Sequence, residues 1–171
     1  HKMQYLRECM ENDEYEKVRT FLGMYEAELE SQRRKHWSPI ATLDFILNMK
    51  IRRIEGLGIK FTVKTDIDSI KIDESDFVVL MGNLLDNAIE ALRQSENKRL
   101  LLSMKLTRGI VRIDIENSYN PKQKKKADQK QHGIGLLSVS HTLEKYHGDL
   151  KHYVEDNNKY HTTVTMFNGT E

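Results

Sequence analysis

The sequence predicts an α+β fold, a two-layer sandwich of helices and a mixed, largely antiparallel sheet preceded by an antiparallel helical hairpin. Three observations predict it. Apolar residues recur at helical spacing through the first half of the chain, from Met3 to Leu92. Two segments of strict apolar-polar alternation then flank the turn Thr107-Arg108-Gly109. Finally, strands gather toward the C-terminal half rather than alternating regularly with helices, which favours a helical layer on one side of the sheet.

Met3, Leu6 and Met10 share one face of a first helix, and Asn12-Asp13 interrupts it. The pattern resumes with Tyr15, Val18, Phe21, Leu22, Tyr25 and Leu29, so residues 1–35 read as a helical hairpin with too little core to stand alone. A second copy, or packing on the rest of the chain, would cover it. Ser38-Pro39 marks the next helix start. Leu43, Ile46, Leu47 and Ile54 carry that helix to a stop near Gly56 or Gly58. Residues 61–64 and 69–72 read as short strands. Asp73 is a candidate N-cap for a helix running to about Gln94. Strands follow around Leu100–Leu106 and Val111–Ile115, then a polar lysine-rich loop from Ser118 to Gln131. A helix from Gly133 to about His147 and strands near 150–154 and 160–167 close the chain.

With 171 residues, 31% charged and 38% apolar, and a net charge of +1, the composition is that of an ordinary globular chain. Near-neutral charge gives no basis for nucleic acid as the main partner. One cysteine, Cys9, excludes an internal disulfide and suits a reducing compartment. No apolar run approaches the ~18 residues that span a bilayer, and no signal peptide is apparent. The chain opens at His1-Lys2-Met3 in what reads as mid-helix, so a longer protein is expected.

The densest functional signal is Asn83-Leu84-Leu85-Asp86-Asn87-Ala88-Ile89-Glu90. On a helix, Leu84, Leu85, Ala88, Ile89 and Leu92 face a core, while Asn83, Asn87 and Glu90 lie away from it. An Asn oxygen is a hard, neutral ligand for a Mg²⁺ that already bridges phosphates, because it adds no repulsion toward them. Solvent-facing helix residues are the plain alternative, weakened because Asn is a mediocre helix former. Gly133-Ile134-Gly135-Leu136 opens a later helix, where free N–H groups and the helix dipole favour phosphate. An ordinary tight turn has the same text. Asn117, ending a strand, reads either as an acceptor for an adenine amine or as a turn former beside Asn120-Pro121. Lys122, Lys124, Lys125, Lys126 and Lys130 would steer a triphosphate beneath a closing lid, or simply solvate a surface loop.

Together these pieces resemble a known superfamily. Asn83-Leu84-Leu85-Asp86-Asn87-Ala88-Ile89-Glu90 is similar to the N box of the Bergerat-fold ATP-binding domain of gyrase, heat-shock chaperones and sensor histidine kinases. His132-Gly133-Ile134-Gly135-Leu136 resembles its second glycine box. Within it, Leu43-Asp44-Phe45-Ile46-Leu47-Asn48-Met49-Lys50 and Gly58-Ile59-Lys60-Phe61 are most similar to sensor kinases of the peptide-quorum-sensing type, related to the accessory-gene-regulator receptor. The resemblance covers about residues 40–168 well and the hairpin more loosely.

It implies an ATP-binding catalytic domain over residues 36–171 and a dimerisation and phosphotransfer hairpin over 1–35. Asn87 would bind Mg²⁺, Asn83 would line the phosphate side, and Gly133 and Gly135 would contact phosphates. Glu90, His132 and Leu136 would complete the nucleotide site, with residues 118–131 as its lid. Asn117 would stand where most of the superfamily has an adenine-binding Asp. The first glycine box is missing here, as is usual in the subfamily. The family's phosphoacceptor motif places the accepting His four residues before His1, so this piece is expected to bind nucleotide without labelling itself. His1 as acceptor is the alternative, with Lys2 where an acidic residue normally draws the imidazole proton.

The implied function is an ATP-dependent protein histidine kinase core, working with ATP and Mg²⁺. It would pass the γ-phosphoryl group to a hairpin histidine and then to a response regulator. A homodimer through the hairpin, a cytoplasmic location, and a bacterial membrane sensor upstream are implied with it. The alternative is a phosphotransfer or dimerisation scaffold whose Bergerat-like domain no longer binds ATP.

Overall fold

A computed structural model describes residues 2–33, 35–93, 95–120, 134–156 and 158–169. The chain divides into two compact units, residues 1–35 and 36–171. In the first, α1 (Lys2–Glu11) and α2 (Tyr15–Arg33) are joined by a short turn. Asp13 takes a left-handed φ of 57° there, a conformation in which a short polar residue is tolerated. The rings of Tyr5 and Phe21 meet at 5.5 Å and Cys9 is buried, so the two helices fold back on one another as the break at Asn12-Asp13 predicts.

The second unit contains α3 (Ala41–Gly56), β1 (Lys60–Asp66), α4 (Glu74–Leu92), β2 (Arg99–Thr107), β3 (Ile110–Ser118), α5 (Ile134–Lys145), β4 (Asp149–Glu155) and β5 (Lys159–Phe167). The strands form one sheet in the order β1-β2-β3-β5-β4. Only β1 runs parallel to its neighbour; the other pairings are antiparallel. This is the mixed, largely antiparallel α+β sandwich that the sequence predicts.

The two-residue period of the strands decides the layers. Leu100, Leu102 and Met104 of β2 pair in register with Asn117, Ile115 and Ile113 of β3, and all six are buried. Val111 and Ile113 pair in turn with Met166 and Val164. Against this face pack the apolar sides of α3, α4 and α5, with Leu43, Leu47, Phe77, Leu85, Ile89 and Val139 among the buried residues. The outer face of the sheet carries charged and polar residues. Leu106, predicted on the core face, sits at the hairpin end and stays partly exposed.

Helix ends follow local chemistry. The Asp73 carboxylate accepts from the backbone N–H groups of Ser75 and Asp76, capping α4 as expected. At the end of α3, Ile59 N–H reaches Ile54 O at 3.0 Å and Gly58 takes a φ of 68°. This is the glycine-terminated ending that satisfies the last carbonyls. Gly148 joins α5 to β4 where a β-carbon would lie 2.8 Å from Leu143 Cδ2 and 3.1 Å from Met166 Cβ.

One predicted strand is corrected. Residues 69–72 do not join the sheet. Their polar groups find other partners: Lys71 N–H donates to Asn168 Oδ1 at 2.8 Å, while Ile72 turns into the core. With no strand alongside to complete a ladder, alternation alone could not make this segment a strand.

Leu85 is fully buried in the middle of α4. Leu85→Ala should therefore cost about 2–5 kcal/mol in chemical denaturation, from lost burial and the cavity left behind.

Candidate functional site: the α4 and α5 junction

The site begins with the rotation of α4. Its apolar stripe is pinned by the core, which turns Asn83 and Asn87, one turn apart and each half-buried, toward a neighbouring side. Asn83 Nδ2 donates to Val79 O at 2.8 Å, which leaves its Oδ1 directed at α5. There it meets Gly135: a β-carbon on that residue would lie 2.9 Å from Asn83 Oδ1 and 3.7 Å from Cγ. The first turn of α5 thus rests against the amide of Asn83, so close that a side chain at residue 135 would make that amide shift. Backbone N–H groups in a first helical turn have no partner within the helix, so this end of α5 is electropositive. The Asn87 side chain makes no hydrogen bond to a described residue. Toward the described residues its carboxamide oxygen is uncommitted.

The other end of α5 is tied to the start of α4. Lys145 Nζ lies 2.8 Å from Asp76 Oδ1, and Tyr146 Oη donates to Asp76 Oδ2 at 2.8 Å. The same hydroxyl accepts from Asp73 N–H at 3.1 Å. The Lys145 hydrogen bond, then that of Tyr146, holds the Asp76 carboxyl below its ordinary value. Burial, with Asp76 beside it, pushes the Tyr146 hydroxyl up.

Glu90 is placed differently from the two asparagines. Its carboxylate meets Arg53 Nη2 of α3 at 2.7 Å and Arg93 at 3.5 Å. Asp86, between the asparagines in sequence, is held by Lys50 at 2.8 Å and Arg53 at 3.3 Å. The charged edge of α4 therefore faces α3, and its amide edge faces α5. The basic side of this edge was not singled out from sequence. Lys50 and Arg53, one turn apart on α3, match Asp86 and Glu90, one turn apart on α4, and that complementarity was the available signal.

Asn117 lies at the end of β3, 3% exposed, on the helix-facing side of the sheet. Its Nδ2 donates to Ser118 O at 3.0 Å, so its Oδ1 remains as an acceptor. Across the ladder it faces Tyr160, whose ring lies 6.0 Å from Tyr119. His132, Gly133 and the lysines of the predicted lid lie outside the described residues, as does His1. Leu136 falls within α5, and its side chain is likewise outside the description.

Two outcomes follow. Gly135→Ala should displace the Asn83 amide, but that amide is the end of a flexible side chain and Ala is the better helix former, so stability should change by less than about 1 kcal/mol. Combined with Asn83→Ala, which removes the obstructing amide, the two effects should not add, a coupling that a double-mutant cycle in urea will measure. Asp76 has a depressed folded-state pKa, so its contribution is complete above the unfolded value and is lost as pH falls through the folded one. Denaturation midpoints should therefore drop below about pH 4, and Asp76→Asn should flatten that drop.

Comparison with known proteins accords with this architecture. The family model for the GHKL domain matches residues 72–166, more than half of the chain. The Probable C4-dicarboxylate sensor kinase of Bacillus subtilis (strain 168) is 37% identical over 79 residues. That stretch is 43% of this chain and only 15% of the relative. The nucleotide-free catalytic domain of histidine kinase ThkA superposes with a TM-score of 0.61 at 19% identity, covering 76% of this chain and 93% of that domain. The Acinetobacter baumannii histidine kinase AdeS gives a TM-score of 0.61 at 14% identity, over 98% of this chain and 95% of that one. ThkA in complex with response regulator protein TrrA gives 0.56 at 18% identity, over 74% of this chain and 39% of that one. At these identities the solved structures speak to the fold, which is that of histidine kinase catalytic domains, and the family match to the lineage: this chain belongs to the GHKL domain family.

Proposed function

We propose that this chain is the ATP-binding and phosphotransfer core of a sensor histidine kinase. The observation that carries the reading is the contact of Gly135 with Asn83, which sets the electropositive start of α5 beside the Asn83 carboxamide of α4, with Asn87 one turn further along. Phosphate oxygens suit the helix start. Asn87, with no hydrogen bond to a described residue, suits a magnesium ion that already carries phosphate oxygens. The donor set is neutral oxygen, so it fits a hard cation without repelling the polyphosphate. Asn83 lines the phosphate side, Gly133 and Gly135 bring backbone N–H groups, and Asn117 Oδ1 accepts from the adenine amine. His132 and Leu136 complete the nucleotide site, and the lysine-rich segment that follows β3 serves as its lid. Glu90 acts from behind: paired with Arg53, it holds α4 against α3. It is a positioning residue in this reading.

Magnesium, when bound, supplies charge neutralisation at the phosphates. The protein's own share of the chemistry is positioning, since phosphoryl transfer asks little acid–base work of side chains. The acceptor is a histidine on the helical hairpin, which also forms a homodimer. An aspartate-bearing response regulator then takes the phosphoryl group; the ThkA–TrrA complex is one fold-mate in which such a regulator is engaged. The text around residues 43–50 and 58–61 supports the peptide-quorum-sensing type. A membrane-anchored sensor with this core in the cytoplasm completes the reading. Among the described residues no helix is long and apolar enough to cross a membrane.

Calorimetric titration with Mg-ADP tests the core of this. The chain should bind one nucleotide, and Asn87→Ala should abolish the magnesium-dependent part of the affinity without lowering the melting temperature. Absence of binding by the parent chain, or unchanged binding by the variant, would favour a scaffold that retains only the shell of the fold.

A further inference from the structure

The outer face of the sheet carries a second constellation, independent of the nucleotide reading. Strand periodicity puts Glu116 on the face opposite its neighbour Asn117. Glu116 pairs across the ladder with His161, and Glu155 of the adjoining strand pairs with Lys159. Three neighbouring strands thus deliver one carboxylate, one imidazole and a second carboxylate to one spot. Their donor atoms all lie within 4.8 Å of one another. His161 Nε2 stands 3.2 Å from Glu155 Oε2 and 3.9 Å from Glu116 Oε2.

We propose that Glu116, Glu155 and His161 form a binding site for a divalent transition metal of the zinc type. Such ions make bonds of about 2.0–2.2 Å to imidazole nitrogen and carboxylate oxygen, which places neighbouring donors roughly 3–3.5 Å apart. The separation to Glu155 already has this value, and that to the half-buried Glu116 closes with a small rotation of its side chain. The mixed nitrogen and oxygen set selects against magnesium and calcium, which take oxygen alone. The imidazole is the fixed element. Its side chain is only 13% exposed, and its ring lies parallel to that of Tyr153, 4.5 Å away with 4° between planes.

Lys159 is the resident cation that the metal displaces. Its ammonium stands 3.5 Å from both Glu116 and Glu155. The tight pairs elsewhere in this unit, Lys50–Asp86 and Lys145–Asp76, are both 2.8 Å. Two carboxylates share this one loosely held ammonium, so a negative charge is left over. A dication removes it, and the half-exposed lysine is free to swing into solvent.

The test uses the whole chain, stripped of metal and free of nucleotide, titrated with Zn²⁺ and then with Co²⁺ for its visible absorption. One ion should bind per chain. His161→Ala and Glu155→Gln should each weaken binding at least about tenfold, because even partners that only orient a ligand are worth ~10–100-fold. Lys159→Ala should tighten it. Glu155→Gln keeps the shape of the side chain, and its metal-free melting temperature should match the parent's. The inference is overturned if the parent binds less than one ion, if His161→Ala binds as tightly as the parent, or if Lys159→Ala brings no gain.

Discussion

The candidate site depends on one close approach, that of the first turn of α5 to the Asn83 amide. It exists because residue 135 has no side chain; a single methyl group there would overlap Asn83 Oδ1. It brings the first turn of α5 beside the amide edge of α4. Below it the two helices are held by the core, with Val139 and Leu143 buried from α5 and Leu84 and Ala88 from α4.

α4 meets three environments at once. Its apolar stripe is committed to the sheet, its carboxylates to Lys50 and Arg53 of α3, and its carboxamides to the side where α5 begins. These commitments are not interchangeable, because rotating the helix to improve one would break the others. Exposed ion pairs are individually worth little. Here their value is orientational: together with the Asp73 cap and the Asp76–Lys145–Tyr146 cluster they leave α4 one rotation about its axis. Pre-set orientation is what a site that works by positioning requires.

The sheet applies the same logic with a two-residue period. Glu116 and Asn117 are adjacent in sequence and serve opposite faces, one charged and open, the other buried beside the helices. A strand in the middle of the sheet therefore presents two electrostatically separate faces. Arg112, Asp114 and Thr163 occupy the same outer face further along, where hydrogen bonds from Arg112 and Thr163 outweigh burial and hold the Asp114 carboxyl low.

Much of this was legible in order along the chain. Helical periodicity located α1 to α5, Asp73 announced the start of α4, and alternation placed β2 and β3, since each of these is a local consequence of backbone geometry. The stretch from Asn83 to Glu90 and the glycines before Leu136 stand out as a candidate site for the same reason, each being contiguous. What the sequence could not determine depends on partners distant along the chain. Residues 69–72 alternate like a strand yet have no strand beside them, and the Lys71 N–H goes to Asn168 instead. Glu90 shares the polar side of its helix with Asn83 and Asn87, but the arginine that claims it lies 37 residues earlier. The convergence of Glu116, Glu155 and His161 is set by ladder register alone. Local sequence determines which elements form and which way their faces point; only tertiary packing decides which faces meet, because those choices minimise buried charge and clash over the whole unit at once.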